Sequence, residues 1–388
     1  MGSYQGNNKL ALWICVCVVA LFAHYLRTSP HILFRVPQIG FVLHAMLTGH
    51  PPPGYMVPDA WNEKELMTWI KDGDLVVSGG FKSGTHWLLY CSHQIRMKGV
   101  PDADDLFQDV NLATPWIDLK HAPGVSWEEH KREMHSESPL PSHIDGGRYP
   151  WSYYWNNVRY PFRIFKSHYT PKESGGFLPV KSFPKVKFLA IARNGLDVAR
   201  STVPFFDSHD ETFRKTWGGF PPANNHKLDE KKAMKDTIHD FFPPNGNLKP
   251  LYFDYIKEWW PMRNESNVLL LHYSDVKKDL RGSVAKIADF VGVKMTSQEL
   301  NNVSNRCSIE HMRSPHLQGR YQVQLVVNKM NGGNNVVVKP GSTVRSGKIG
   351  EGRQSFAKED IAMFEKYEQE EFGHIDGLLD WTRFGSLV

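Results

Sequence analysis

"DLVVSGGFKSGTHWLLY", Asp74 to Tyr90, reads as a short apolar strand, a glycine-rich turn and a helix in immediate succession. That order builds an anion-binding loop, because the unpaired N–H groups of a helix start and the helix dipole both face the turn. Glycines 79, 80 and 84 permit tight backbone geometry. Lys82 adds a full charge, and Ser83 and Thr85 add hydroxyl donors. The common nucleotide loop places Lys after its last Gly and directly before Ser or Thr. Here Lys82 comes first, followed by Ser83, Gly84 and Thr85. A plain strand-to-helix turn with a solvated lysine is the bland alternative, and the coincidence of strand, glycines, lysine, hydroxyls and helix argues against it.

Three further apolar runs follow: "FRIFKSH" (162–168), "VKFLAIARN" (186–194) and "NVLLLHY" (267–273). Their apolarity is continuous rather than alternating, as in strands covered on both faces. Helical patterns at Thr85–Met97, Leu196–Phe206, Tyr252–Trp260 and Gly282–Val291 follow these runs or separate them. The expected fold is therefore α/β: a P-loop-like, doubly wound, mainly parallel sheet flanked by helices. Ligands in such sheets bind at the carboxyl ends of the strands, which singles out Lys82, His168, Arg193 and Tyr273. Lys166 and His168 share one side of their strand, and a histidine there has the near-neutral pKa of a general base. Arg193 ends the next run and offers bidentate donors to phosphate, with Ser201 about two helical turns beyond. Each motif alone has a plain structural alternative: a lone structural histidine, or a surface pair of Arg193 with Asp197.

The chain has 388 residues, is 41% hydrophobic and 22% charged, and carries a formal net charge of +5. No long Lys/Arg run concentrates that charge, so nothing points to nucleic acid. Four cysteines occur without a C-x-x-C pair, which supports neither a zinc ribbon nor a thioredoxin-like site. No H-E-x-x-H is present, and His130 and His135 stand five apart, off one helix face, so no metal is expected. Residues 1–9 form a short tail. Residues 10–26 are uncharged and apolar, at the short limit for a membrane span, and read as an anchor or a signal. Lys9 precedes the segment and Arg27 and Arg35 follow it, so flanking charge favours neither orientation. Residues 27–58 hold six prolines and read as a linker. The globular domain is expected over 59–388, and its "AKEDIAMFEKYEQEEF" segment reads as a solvated amphipathic helix.

Taken in order, the three motifs resemble the sulfotransferases that use 3′-phosphoadenosine 5′-phosphosulfate (PAPS), most closely the soluble cytosolic type. The family loop Y-P-K-S-G-T-T-W matches Phe81 to Trp87, its K-T-H matches Lys166 to His168, and its A-R-N-x-x-D-V-x-x-S matches Ala192 to Ser201. "EWWPMRNESNVLLLHYSDVKKDL", "CSIEHMR" and "VRSGKIGEG" are similar to later family segments, so the likeness runs from about residue 60 to 370. The resemblance implies transfer of a sulfuryl group to an acceptor hydroxyl or amine, leaving 3′,5′-ADP, with no metal. It implies that Lys82 meets the bridging oxygen, that the amides from Ser83 through Gly84, Thr85 and His86 hold the 5′-phosphate, and that Trp87 lies near adenine. Arg193 and Ser201 would hold the 3′-phosphate, with Arg345, Ser346 and Gly347 closing over it. Tyr273, Cys307 and Ile309 would line the adenosine pocket. His168 would be the base, and Lys166 would steady the sulfuryl group.

Several positions depart from the family pattern. His86 stands for a Thr, Ser346 for a Lys, Ile309 for an aromatic, and Glu351-Gly352 for D-W. The family's dimer motif is not retained over Arg353 to Ala362. The N-terminal anchor is foreign to soluble members and is similar to the arrangement in Golgi carbohydrate sulfotransferases. Two rival readings are a P-loop kinase, against which the Lys-first order argues, and a degenerate nucleotide-binding relative, against which the joint presence of Lys82, His168, Arg193 and Ser201 argues.

Overall fold

The structure is a computed structural model, and it describes residues 13, 16–21, 24, 58–119, 131, 155–211, 213, 226–243, 246, 248–328 and 333–386. Four parallel strands form its sheet: β1 (Leu75–Gly79), β2 (Ile164–Ser167), β3 (Lys187–Ala192) and β4 (Val268–His272). Their spatial order is β2-β1-β3-β4, with Leu75 opposite both Ile164 and Lys187. The chain thus leaves β1 for one side and later returns to its other side. That reversal opens a crevice at the carboxyl ends of β1 and β3.

Alternate side chains explain why the runs are continuously apolar. Val76, Phe165, Phe188 and Ala190 belong to one core. Leu75, Val77, Ile164, Leu189 and Ile191 belong to the other. Four helices matter for the site: α1 (Glu63–Trp69), α2 (Thr85–Arg96), α3 (Gly195–Asp207) and α4 (Leu280–Phe290). Trp69 of α1 and Leu196 and Val198 of α3 pack on the first face, and Leu88 of α2 and Ile287 of α4 on the second. Strand and helix bounds therefore fall within a residue or two of the expected ones. The exception is the expected helix at Tyr252–Trp260, which opens as a π-turn over Pro250–Asp254 and becomes α-helical over Tyr255–Trp259.

Beyond β4 lie α5 (Ile309–Met312), an antiparallel hairpin of β5 (Gln324–Asn328) and β6 (Gly333–Val336), then α6 (Glu351–Ser355), α7 (Lys358–Phe372) and α8 (Leu378–Phe384). The hairpin has no counterpart in the sequence reading. Helix α7 corrects its expectation of a solvated helix, because Asp360, Phe364, Glu368 and Phe372 are buried at four-residue spacing. Glu368 is held by Arg383 of α8 at 2.9 Å, and burial pushes its carboxyl up to about 7 despite that partner.

Of the expected anchor, residues 13, 16–21 and 24 are described, and all are helical. Trp13, Val16, Val18, Val19 and Leu21 are each at least half exposed. No described helix is long and apolar enough to cross a membrane. The linker at 27–57 and residues 1–9 lie outside the described residues, as do most of 120–154.

Candidate active site

The expected residues converge on one cleft of about 640 Å³ above the carboxyl ends of the strands. From the opening loop, Lys82, Gly84, Thr85, His86 and Trp87 line it. Lys166 and His168 enter from β2, and Arg193 and Ser201 from β3 and α3. Tyr273, Ile309, Arg345, Ser346 and Gly347 close the far side.

The loop is anchored on every flank. Gly80 N–H donates to the Ile191 carbonyl at 3.0 Å, Tyr255 hydroxyl to the Ser78 carbonyl at 2.7 Å, and Ser78 hydroxyl to the Tyr169 carbonyl at 2.6 Å. Gly84 sits at φ 108°, and a Cβ there would meet the Tyr273 ring at 3.1 Å, so only glycine fits. It also caps α2 without any side-chain bond, leaving the first-turn amides uncapped by a side chain and facing the cleft end of the helix. These features suit a phosphate. Two expected binders stand apart from the cleft. Ser83 is buried, its N–H bonded to Gly80 and its hydroxyl to the Phe81 carbonyl, so it shapes the turn. Cys307 is fully buried with its thiol against Cys91, and it reaches the site only through its carbonyl, which accepts from the Trp87 indole at 2.7 Å. Sequence likeness could place these residues near the nucleotide, yet could not say which atoms point inward.

Lys82 takes the left-handed region at φ 53°, and its Nζ lies 3.9 Å from the centre of the Phe205 ring. Burial, then Arg193, Arg345 and Lys166, lower its pKa to about 7. Lys166 is buried with Nζ 3.5 Å from the centre of the Trp116 ring and 3.4 Å from His86 Nε2, and burial brings it to about 7 as well. His86, which stands where the family has a Thr, is thus a neighbour of Lys166, and burial plus Lys166 hold it well below its ordinary pKa, as an acceptor.

His168 donates from Nδ1 to the Gly79 carbonyl at 2.6 Å. A carbonyl can only accept, so the proton of the neutral ring sits on Nδ1 and Nε2 keeps its lone pair. Burial, then Lys166, lower this histidine to about 3 against that bond. Asp118, which the sequence reading passed over, accepts from Ser167 and the backbone of His168.

Arg193 is buried. It donates to the Lys348 carbonyl at 2.8 Å, stacks its guanidinium 4.4 Å from the centre of the Tyr273 ring and lies 3.7 Å from Asp197. Asp197 is not a surface partner: its two oxygens accept from the amides of Gly350 and Gly352, each at 2.9 Å. Arg193 and Asp197 therefore tie the 345–352 loop to α3. Gly352 explains the departure from D-W, since a Cβ there would meet the Leu196 carbonyl oxygen at 2.2 Å. Ser346 donates its only proton to Glu351 at 2.7 Å, and Glu351 also faces Arg345 at 3.4 Å. Elsewhere, Asp104, His311 and His316 reach metal-ligand spacing, but Asp104 already pairs with Arg306 at 2.7 Å.

The family model of the sulfotransferase domain matches residues 72–376. Rat sulfotransferase 2A1 is 25% identical over 315 residues, covering 80% of this chain and 89% of its own length. Human sulfotransferase 1C2 is 22% identical over 313 residues, covering 80% and 86%. Among solved structures, retinol dehydratase in a complex with retinol and PAP superposes with TM-score 0.54 at 22% identity, over 84% of this chain and 89% of that one. Mouse sulfotransferase SULT7A1 complexed with PAP gives TM-score 0.50 at 18% identity, over 80% and 89%. These two likenesses show the shared fold. The Lys-first loop, the K-S-H strand end and the A-R-N helix start meet at one crevice inside a domain match that spans most of the chain, and the protein belongs to the PAPS-dependent sulfotransferase family.

Proposed function

We propose that the cleft moves the sulfuryl group of PAPS onto the hydroxyl of a largely apolar acceptor, with His168 as general base. The observation that carries this is the Nδ1 bond of His168 to Gly79, which leaves Nε2 as an acceptor beside two lysines. Sulfuryl transfer, like phosphoryl transfer, depends mainly on positioning and on charge placed where the leaving oxygen becomes negative. Lys82 meets that oxygen, and the amides opening α2 hold the 5′-phosphate. Arg193, Ser201 and Arg345 hold the 3′-phosphate, and Trp87, Tyr273 and Ile309 flank the adenosine. Ser346, whose proton goes to Glu351, contributes backbone rather than a hydroxyl donor. His168 takes the acceptor proton at Nε2, and Lys166 steadies the moving group. A histidine near 3 is a weak base while burial and the neighbouring lysines act on it alone. Two anionic phosphates offset the nearby lysines and restore its basicity.

Phe81, Phe205, Phe206, Leu248 and Leu251 line the cleft beside Lys82 and His168. Such a wall suits an apolar alcohol, in keeping with relatives whose structures hold retinol or androsterone. The domain of 59–388 would sit behind a single-pass anchor at 10–26, a reading supported by the exposed apolar side chains there. The experiment is transfer from labelled PAPS to retinol, androsterone and simple phenols. His168→Ala should abolish transfer, at least ~10²-fold, while 3′,5′-ADP binds as in the wild type. Retained transfer sinks the base assignment, and lost binding makes the histidine structural.

A further inference from the structure

Strand β2 is an edge strand, and its outer side is covered by residues 115–119. Lys166 N–H donates to the Pro115 carbonyl at 2.8 Å, and Trp116 bridges to Lys166 in parallel register. The Trp116 ring supports Lys166 Nζ and meets the His168 ring edge-on at 5.0 Å between centres. Two residues on, Asp118 is fully buried. Its Oδ2 accepts from Ser167 Oγ at 3.1 Å and from the His168 N–H at 3.3 Å. Its Oδ1 is buried with no hydrogen-bond partner. Leaving half of a buried carboxylate unsatisfied is costly, and such groups concentrate where the fold uses their charge.

We propose that Asp118 is a positioning residue for sulfuryl transfer: it fixes the end of β2 so that Lys166 and His168 enter the cleft, and it sets a negative charge beside Lys166. The proposal rests on the roles given above to those two residues. Of the titratable groups, Lys166 faces Asp118 directly; Lys166 in turn faces Asp109, His86 and His168, and His168 also faces Lys82. Burial raises the Asp118 carboxyl to about 7, against the His168 and Ser167 bonds. Burial lowers Lys166 to about 7, while Asp118 and Asp109 pull it up. Near neutrality the two groups therefore compete for one proton, and an ionised Asp118 keeps Lys166 charged.

Asp118→Asn tests this on the full-length enzyme. The amide oxygen still accepts from Ser167 and His168, so the geometry stays and the charge goes. The expected result is an unchanged melting temperature and KM for PAPS, with kcat lowered ~10- to 100-fold. The alkaline limb of the kcat–pH profile should move to lower pH, because losing a negative neighbour lowers the pKa of a lysine. Wild-type kcat with an unmoved profile overturns the proposal. If Asp118→Asn does not fold, Ser167→Ala carries the test. Removing that donor raises the Asp118 pKa, so a smaller shift in the same direction is expected, and an unmoved profile again overturns it. An inactive His168→Ala beside a wild-type-like Asp118→Asn sinks this inference alone. An active His168→Ala sinks the base assignment beneath it.

Discussion

Lys82 shows how one residue combines backbone and side-chain roles. Its φ of 53° is uncommon for a non-glycine residue, and such conformations persist where surrounding contacts over-determine them. Here those contacts are the Gly80 and Phe81 anchors of the loop, which aim the side chain over Phe205. The lowered values of Lys82 and Lys166, both about 7, have a measurable consequence. At pH 8 both amines are mostly uncharged unless an anion lies beside them. An anionic nucleotide favours their charged forms and raises both pKa values. Binding of 3′,5′-ADP at pH 8 should therefore take up protons, one to two in all. Calorimetry in buffers of different ionisation enthalpy reads this directly. No uptake, or release, would contradict the electrostatics drawn for this site.

At the scale of elements, the proposed 3′-phosphate side depends on how α6 lies against α3. The Asp197 carboxylate binds the amides of Gly350 and Gly352, and Gly352 touches the Leu196 backbone with no room for a Cβ. Gly195 repeats the device on the other side, where a Cβ would meet Phe364 of α7 at 2.4 Å. Gly352→Ala should push α6 off α3. The expected cost is ~1–3 kcal/mol by denaturant unfolding. Affinity for 3′,5′-ADP should fall more than affinity for 5′-AMP, since the displaced loop carries Arg345. Equal losses for both nucleotides would mean that the loop does not serve the 3′-phosphate.

For the whole molecule, the proposed anchor decides where the catalytic domain is held. The helical residues at 13, 16–21 and 24 expose Trp13 and Leu21 at 68% each, an arrangement that water disfavours. If the segment is an anchor, the full chain should stay with membranes through alkaline carbonate. A chain lacking residues 1–58 should be released with its transferase activity intact. Release of the full chain by carbonate would remove the anchor reading and leave the catalytic one standing.

The sequence by itself determined the sheet and the identity of the main cleft residues. Continuous apolar runs such as Phe188–Ala192 are buried on both faces, and that pattern is local. The motif residues Lys82, Lys166, His168 and Arg193 fall at or just past strand ends, and Ser201 on the helix that follows, positions that follow from the same local pattern. Only the tertiary structure decided which atoms of these residues face the cleft. It turned Ser83 and Cys307 inward, gave His86 a place beside Lys166 and spent the Ser346 proton on Glu351. It also brought Asp118, from an irregular segment 50 residues before His168, against the His168 backbone. The physical reason is range: periodicity records burial along one element, whereas hydrogen-bond partners and shifted pKa values arise between elements that only the packed chain brings together.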